Sequence, residues 1–177
     1  MTNKEFFISL WHKEMKRTLV AIKALPTDLS KMNYRPDPKT RSATEIIGHI
    51  LPHAEDLSSA VDTMIIDESD QKFNNMDEAY NYYEMHSNAL MEKLSALPDK
   101  TWENQKMPLI IKGVKVYEAT MMDMFWTLMF DTVHHRGQLS TYYRPMGMPN
   151  PSIYGPTAEI VEKMMADAAK KQQEMAG

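Results

Sequence analysis

Apolar residues recurring at three- and four-residue intervals, cut into lengths by prolines, constrain this chain more than any other feature. Phe6, Leu10, Met15, Leu19 and Ile22 keep helical spacing until Pro26, which predicts a first helix from about Asn3 to Leu25. Ser42 with Glu45 and Asn75 with Glu78 are capping-box pairs, each satisfying helix N-terminal donors that would otherwise lack partners. The second helix is therefore expected from Ser42 to about Ile66, with Ile46, His49, Ile50 and His53 facing inward. The third runs through Tyr82, Met85 and Leu90 to about Leu97, before Pro98. Thr120 with Asp123 opens the fourth and longest, which extends to about Arg144 and is stopped by Pro145 and Gly147. A fifth fits Thr157 to about Ala169, followed by a frayed Lys-Lys-Gln-Gln-Glu tail.

The helical pattern breaks between Asp99 and Glu118, where Leu109-Ile-Ile and Val114-Lys-Val116 flank Lys112-Gly113. This spacing predicts a short two-stranded hairpin, which must pack on the helices because an isolated hairpin is marginal. At 177 residues and 43% apolar, the chain suits one domain, residues 1–177. The fold class is all-α: a helical bundle with a hairpin before the fourth helix and an extra C-terminal helix.

Composition removes several functions. A net charge of -4 leaves no basic footprint for nucleic acid. The most apolar stretch, Ala119 to Phe130, is about half the length that spans a bilayer and is broken by Asp123, so no membrane role is expected. With no secretion signal, a cytoplasmic location follows. The absence of cysteine excludes thiolate ligands and a cysteine nucleophile, leaving imidazole and oxygen to hold any metal. The 17 methionines, among them Met121, Met122, Met124, Met164 and Met165, read as core filler.

Chemistry concentrates in Asp131-Thr-Val-His-His135-Arg-Gly-Gln. Asp131 and His135 are four apart and share a helix face, and His49 with His53 repeats that spacing on the second helix. An ionised aspartate facing a bundle core is costly unless paired or coordinated. His49, Asp131 and His135 are thus candidate metal ligands from two helices, leaving positions open for water or substrate. His53 is open to three readings, a fourth ligand, a base behind the ligands that serves as proton acceptor, or a rim residue, of which the rim is favoured. His134 points away from His135 and is assigned to packing or the surface, as are His12 and His86. Arg136 is assigned to a salt bridge with an acidic residue on a neighbouring helix, and Gly137 to a close helix approach. Pro52 removes the backbone donor for the Gly48 carbonyl, so a bend is expected beside His49, serving either the site or packing.

Ile47-Gly-His49-Ile, His135-Arg-Gly-Gln138-Leu139, Tyr143-Arg-Pro-Met-Gly147 and Pro151-Ser-Ile-Tyr-Gly-Pro156 together resemble the DinB family of damage-inducible metalloproteins, unrelated to the DNA polymerase of that name. The resemblance spans about residues 3 to 160. It implies a four-helix bundle connected up-down-down-up, a divalent metal such as zinc or nickel, and frequently a homodimer. It also implies relatives that are thiol-dependent S-transferases or a mycothiol-dependent maleylpyruvate isomerase. The family triad is one His on the second helix and a His-x-x-x-His pair on the fourth. His49 and His135 match it, whereas Asp131 stands where the pair's first His would be, a change that also suits iron or manganese.

Two functions follow from this reading. The first is a metal-dependent enzyme, transferase-like or hydrolase-like, that activates a water or a low-molecular-weight thiol cosubstrate. The second is a noncatalytic, dimeric stress-response bundle that binds a metal or small ligand, the metal site being degenerate in the limit. A cavity open to solvent above His49 and His135 separates them.

Overall fold

The computed structural model describes residues 1–176. Four long helices make the body: α1 (Asn3–Lys23), α2 (Ala43–Thr63), α3 (Met76–Ala96) and α5 (Met121–Ser140). A short α4 (Asp99–Asn104) and strands β1 (Ile66–Glu68), β2 (Lys106–Ile111) and β3 (Val114–Thr120) lie between them, and α6 (Ala158–Ala176) follows. The predicted caps are in place: Ser42 accepts from the Glu45 backbone, Asn75 from Glu78 and Thr120 from Asp123. Thr2 and Glu5 form a further capping box on α1.

Helix directions can be read from side-chain pairs. Asn3 meets Trp126, Glu14 meets Arg136 and Ala21 meets Tyr143, so α1 and α5 run parallel. Glu55 meets Tyr82 and Ser58 meets Lys93, so α2 and α3 are also parallel. His53 meets Thr132 while Arg41 meets Tyr142, so α2 opposes α5. The order is up-down-down-up, with α1 and α2 on one diagonal.

That order has a consequence for the connector between α2 and α3. A 21-residue α2 is roughly 30 Å long, at 1.5 Å rise per residue. Residues 64–75 must retrace that length to begin a parallel α3, and a dozen residues reach at most about 40 Å. The segment therefore runs nearly extended along α2 and contributes β1, which pairs in parallel with β2 through Ile66↔Leu109. The sequence pattern predicts only the antiparallel β2–β3 hairpin, turned at Lys112 (φ 52) and Gly113 (φ 77). The third strand arises from topology.

In α1 Met15, Leu19 and Ile22 are buried as expected, but the first two turns bury Phe7 and Trp11 in place of Phe6, which is 47% exposed, and the half-buried Leu10. Moving one residue along rotates the stripe by about 100° and brings Phe7 against Trp102 and Phe125, with ring centroids 5.1 and 6.0 Å away. On α3, Met85 likewise faces solvent while Tyr83, Leu90 and Leu94 fill the core. Asn3 closes this end of the bundle by accepting from the indoles of Trp102 and Trp126 at 3.1 and 3.0 Å.

Arg136 is buried and donates to Glu14 and Tyr154, and to Thr18 at 2.9 Å, making the expected inter-helix ion pair. Burial opposes ionisation of Glu14, but Arg136, Tyr154 and Arg17 together hold its carboxyl below the ordinary value. Gly137 is exposed and no helix approaches it, so the expected close contact is absent. The fourth long helix ends at Ser140 rather than Arg144, the remainder forming turns, and α6 continues past Ala169. Met121 and Met124 are core, whereas Met164 and Met165 on the exposed α6 are not. Among the described residues, no helix is long and apolar enough to cross a membrane.

Candidate metal centre

Pro52 sits inside an unbroken α2, and the Gly48 carbonyl it leaves free is taken by the backbone N–H of Gln71 at 2.7 Å. A Cβ at position 48 would lie 2.8 Å from the Gln71 carbonyl oxygen, so glycine is what admits the crossing chain. The taut connector is thereby bonded to α2 one residue from His49. It delivers Glu68 and Asp70, each with a carboxylate oxygen 3.5 Å from His49 Nδ1.

Across the bundle, α5 supplies Asp131 and His135 to the same point. Asp131 Oδ2 lies 3.4 Å from His49 Nε2, 3.6 Å from His53 Nε2 and 3.3 Å from His135 Nε2. These separations exceed good hydrogen bonds. They match the edges of a tetrahedral shell: ligands bound at about 2.1 Å are about 3.4 Å from one another. His49, His53 and Asp131 form a group whose ligand atoms all lie within 4.8 Å of each other, a set that fits a divalent ion.

Each imidazole turns its other nitrogen outward. Thr132 Oγ1 donates to the Leu128 carbonyl at 3.0 Å, so it accepts from His53 Nδ1 at 2.9 Å. His53 Nε2 is left bare, buried and without a hydrogen-bond partner, a loss worth about 1–3 kcal/mol unless something coordinates it. Burial, with the neighbouring His49 second, pushes the His53 pKa down to about 3, which keeps the ring in the neutral, ligating form. His135 Nδ1 faces Gln138 Oε1 at 2.9 Å, while Gln138 Nε2 reaches exposed His134 at 3.0 Å. Arg41 lies 3.2 Å from His135 Nε2 and can only donate, which requires the neutral ring; Asp131 beside it pushes the His135 pKa up. Burial opposes ionisation of Asp131, but His135 and His49 hold its carboxyl well below the usual carboxylate range.

All four residues singled out from sequence therefore meet at one point. His53 is fully buried rather than at a rim. His12 is exposed, and His86 stands beside Tyr82 and Glu55 away from the site. Gln138 is legible from its three-residue distance to His135. Thr132, Glu68, Asp70 and Arg41 carry no sequence signal of this kind; the last three sit on connectors that the topology brings in.

The DinB family profile matches residues 1–174, essentially the whole chain. This protein belongs to the DinB family. Two solved DinB-like proteins share the fold. One from Bacillus cereus is 17% identical with a TM-score of 0.61, covering 85% of this chain and 97% of its own. One from Bacillus subtilis is 16% identical with a TM-score of 0.58, covering 85% of this chain and 99% of its own. At that identity they speak for the DinB architecture alone. No curated protein matches the chain.

Proposed function

We propose that this DinB protein is a divalent-metal-dependent enzyme in which His49, His53 and Asp131 hold the ion and His135 stands beside it without being a ligand. A water or a low-molecular-weight thiol would be activated there by a bound ion. The observation that carries this reading is the convergence of three imidazole Nε2 atoms on one carboxylate oxygen while the Nδ1 atoms of His53 and His135 are hydrogen-bonded outward. When bound, zinc or nickel supplies Lewis acidity that brings the pKa of a coordinated water or thiol toward neutrality; iron or manganese suits the same donors.

The chain's own residues do the rest. Thr132 and Gln138 fix the tautomers of His53 and His135, and Glu68 with Asp70 aligns His49. Where the family carries a His-x-x-x-His pair, Asp131 replaces the first member, and His53 restores the third imidazole from α2. Of the readings the sequence leaves open for His53, its burial and bare Nε2 favour coordination over proton acceptance. His135, on the wall of an open cleft with Arg41 and Tyr142, is then the ring placed to receive a proton from an incoming nucleophile. The cleft opens on His135 and is not lined by His49, so it favours catalysis over a sealed, noncatalytic bundle on the His135 side of the site alone. Because the chain has no cysteine, any thiol arrives as a cosubstrate.

Elemental analysis of protein purified without a metal-binding tag tests the reading. One equivalent of a divalent metal is expected in the wild type, with loss in His49→Ala and His53→Gln. Equal metal content in all three refutes it. A conjugation screen with glutathione and an aryl halide then separates thiol transfer from hydrolysis.

A further inference from the structure

Two clefts share Thr40 and Arg41 in their walls, and the smaller reaches His135. The larger, about 690 Å³, runs between the α1–α2 connector and residues 70–74. The smaller, about 470 Å³, lies over His135 and Tyr142. Arg41 belongs to both walls and so stands at their junction, with one guanidinium nitrogen 3.2 Å from His135 Nε2. Its backbone is fixed there: its carbonyl accepts from the Tyr142 hydroxyl at 3.0 Å, and the next residue, Ser42, caps α2.

The chain carries a net charge of -4, yet the larger cleft is lined by Arg35, Lys39, Arg41 and Lys72 against Glu45 and Asp70. Arg35 is bonded to Glu45 at 3.1 Å, and Asp70 faces His49. Among the described residues, Lys39, Arg41 and Lys72 form no ion pair. Three such cations around one concavity focus a positive field on it. Thr44 and Glu45, in the first turn of α2, line the same space, so the positive end of that helix dipole adds to the field. Phe73 and Pro38 supply apolar wall, and the volume is that of a small-molecule site.

We infer that the substrate is a small organic acid whose carboxylate or phosphate group seats on Arg41, flanked by Lys39 and Lys72, with its apolar part against Phe73 and Pro38. The inference rests on the metal-centre reading and specifies its substrate class. The planar guanidinium keeps donors available beyond the one aimed at His135, and its fork matches an oxyanion. Anchored beside the imidazoles, it places the acid group next to the reacting centre and leaves the rest of the molecule in the cleft. Lys39 and Lys72 contribute field rather than fixed geometry.

Isothermal titration of metal-loaded and chelator-treated protein with benzoate, benzamide and inorganic phosphate tests this. Benzoate should bind at least about tenfold more tightly than its neutral isostere benzamide, a charge-assisted Arg–carboxylate contact being worth that much or more. Arg41→Gln should remove the preference, Arg41→Lys should restore part of it, and Lys100→Gln, at an exposed position of α4, should leave it intact. Phosphate binding in place of benzoate, lost in the same variant, identifies a phosphate ester instead. Equal affinity for all three probes, or unchanged binding in Arg41→Gln, overturns the proposal. If the wild type holds no metal but Arg41-dependent benzoate binding persists, the metal reading fails and the acid site stands. Metal present without benzoate selectivity is the reverse result.

Discussion

Two helical glycines, replaced by alanine, should shift stability in opposite directions. In an exposed helix interior, Gly→Ala adds about 1 kcal/mol. Gly137 meets nothing within 4 Å, so Gly137→Ala should gain that amount. At Gly48 the same propensity gain is opposed twice. The new Cβ would lie 2.8 Å from the Gln71 carbonyl oxygen, a backbone atom that cannot swing aside; such overpacking costs about 1–3 kcal/mol. Moving the connector away also breaks the 2.7 Å bond from Gln71 to the Gly48 carbonyl, about 1 kcal/mol more. Gly48→Ala should therefore lose about 1–3 kcal/mol, leaving the two variants about 2–4 kcal/mol apart. Urea denaturation at neutral pH, with the slope checked for constancy, measures the difference. Metal affinity should also fall in Gly48→Ala alone, because Asp70 would be carried away from His49. If Gly48→Ala stabilises the protein as Gly137→Ala does, the connector is not fixed to α2 and the account of how Glu68 and Asp70 reach the site is wrong.

Arg136→Met should cost about 1–3 kcal/mol in a denaturant titration, since it removes one buried partner of Glu14 while Arg17 and Tyr154 remain; a loss under about 1 kcal/mol would show the pair to be solvated. Thr132→Val removes the acceptor for His53 Nδ1 and should weaken metal affinity about 10–100-fold in a chelator competition, with the metal-free fold retained. Burial pushes the Asp56 carboxyl up to about 7 from an ordinary 3.8. A raised acid stabilises the folded state below the unfolded pKa, and that contribution is lost as pH climbs through the folded value. Asp56→Asn should accordingly raise Tm at pH 8 and leave it nearly unchanged at pH 4; an equal gain at both would remove Asp56 titration as the cause.

Much of the architecture was legible because capping and proline punctuation are local signals: Ser42, Asn75 and Thr120 each sit at the helix start their hydrogen bonding dictates. The register of α1 was less so. Phe6 and Phe7 are adjacent and equally apolar, and only the rings of Trp102 and Phe125, a hundred residues away, decide which is buried. The site divides the same way. His49, His53, Asp131 and His135 announce themselves through four-residue spacing within single helices. Glu68, Asp70 and Arg41 do not, because their positions depend on how the connectors are routed. Gly137 misled for a related reason: a glycine in a helix has the same local signature whether a neighbour approaches or solvent does.

The nearly extended path of residues 64–75 sets an asymmetry in what length changes the protein tolerates. Added residues can loop outward at little entropic expense. Removing four or more would leave too little reach to rejoin α3, and the strain would fall first on the Gln71–Gly48 tether and the two carboxylates behind His49. A shortened connector should disarm the site before it unfolds the bundle.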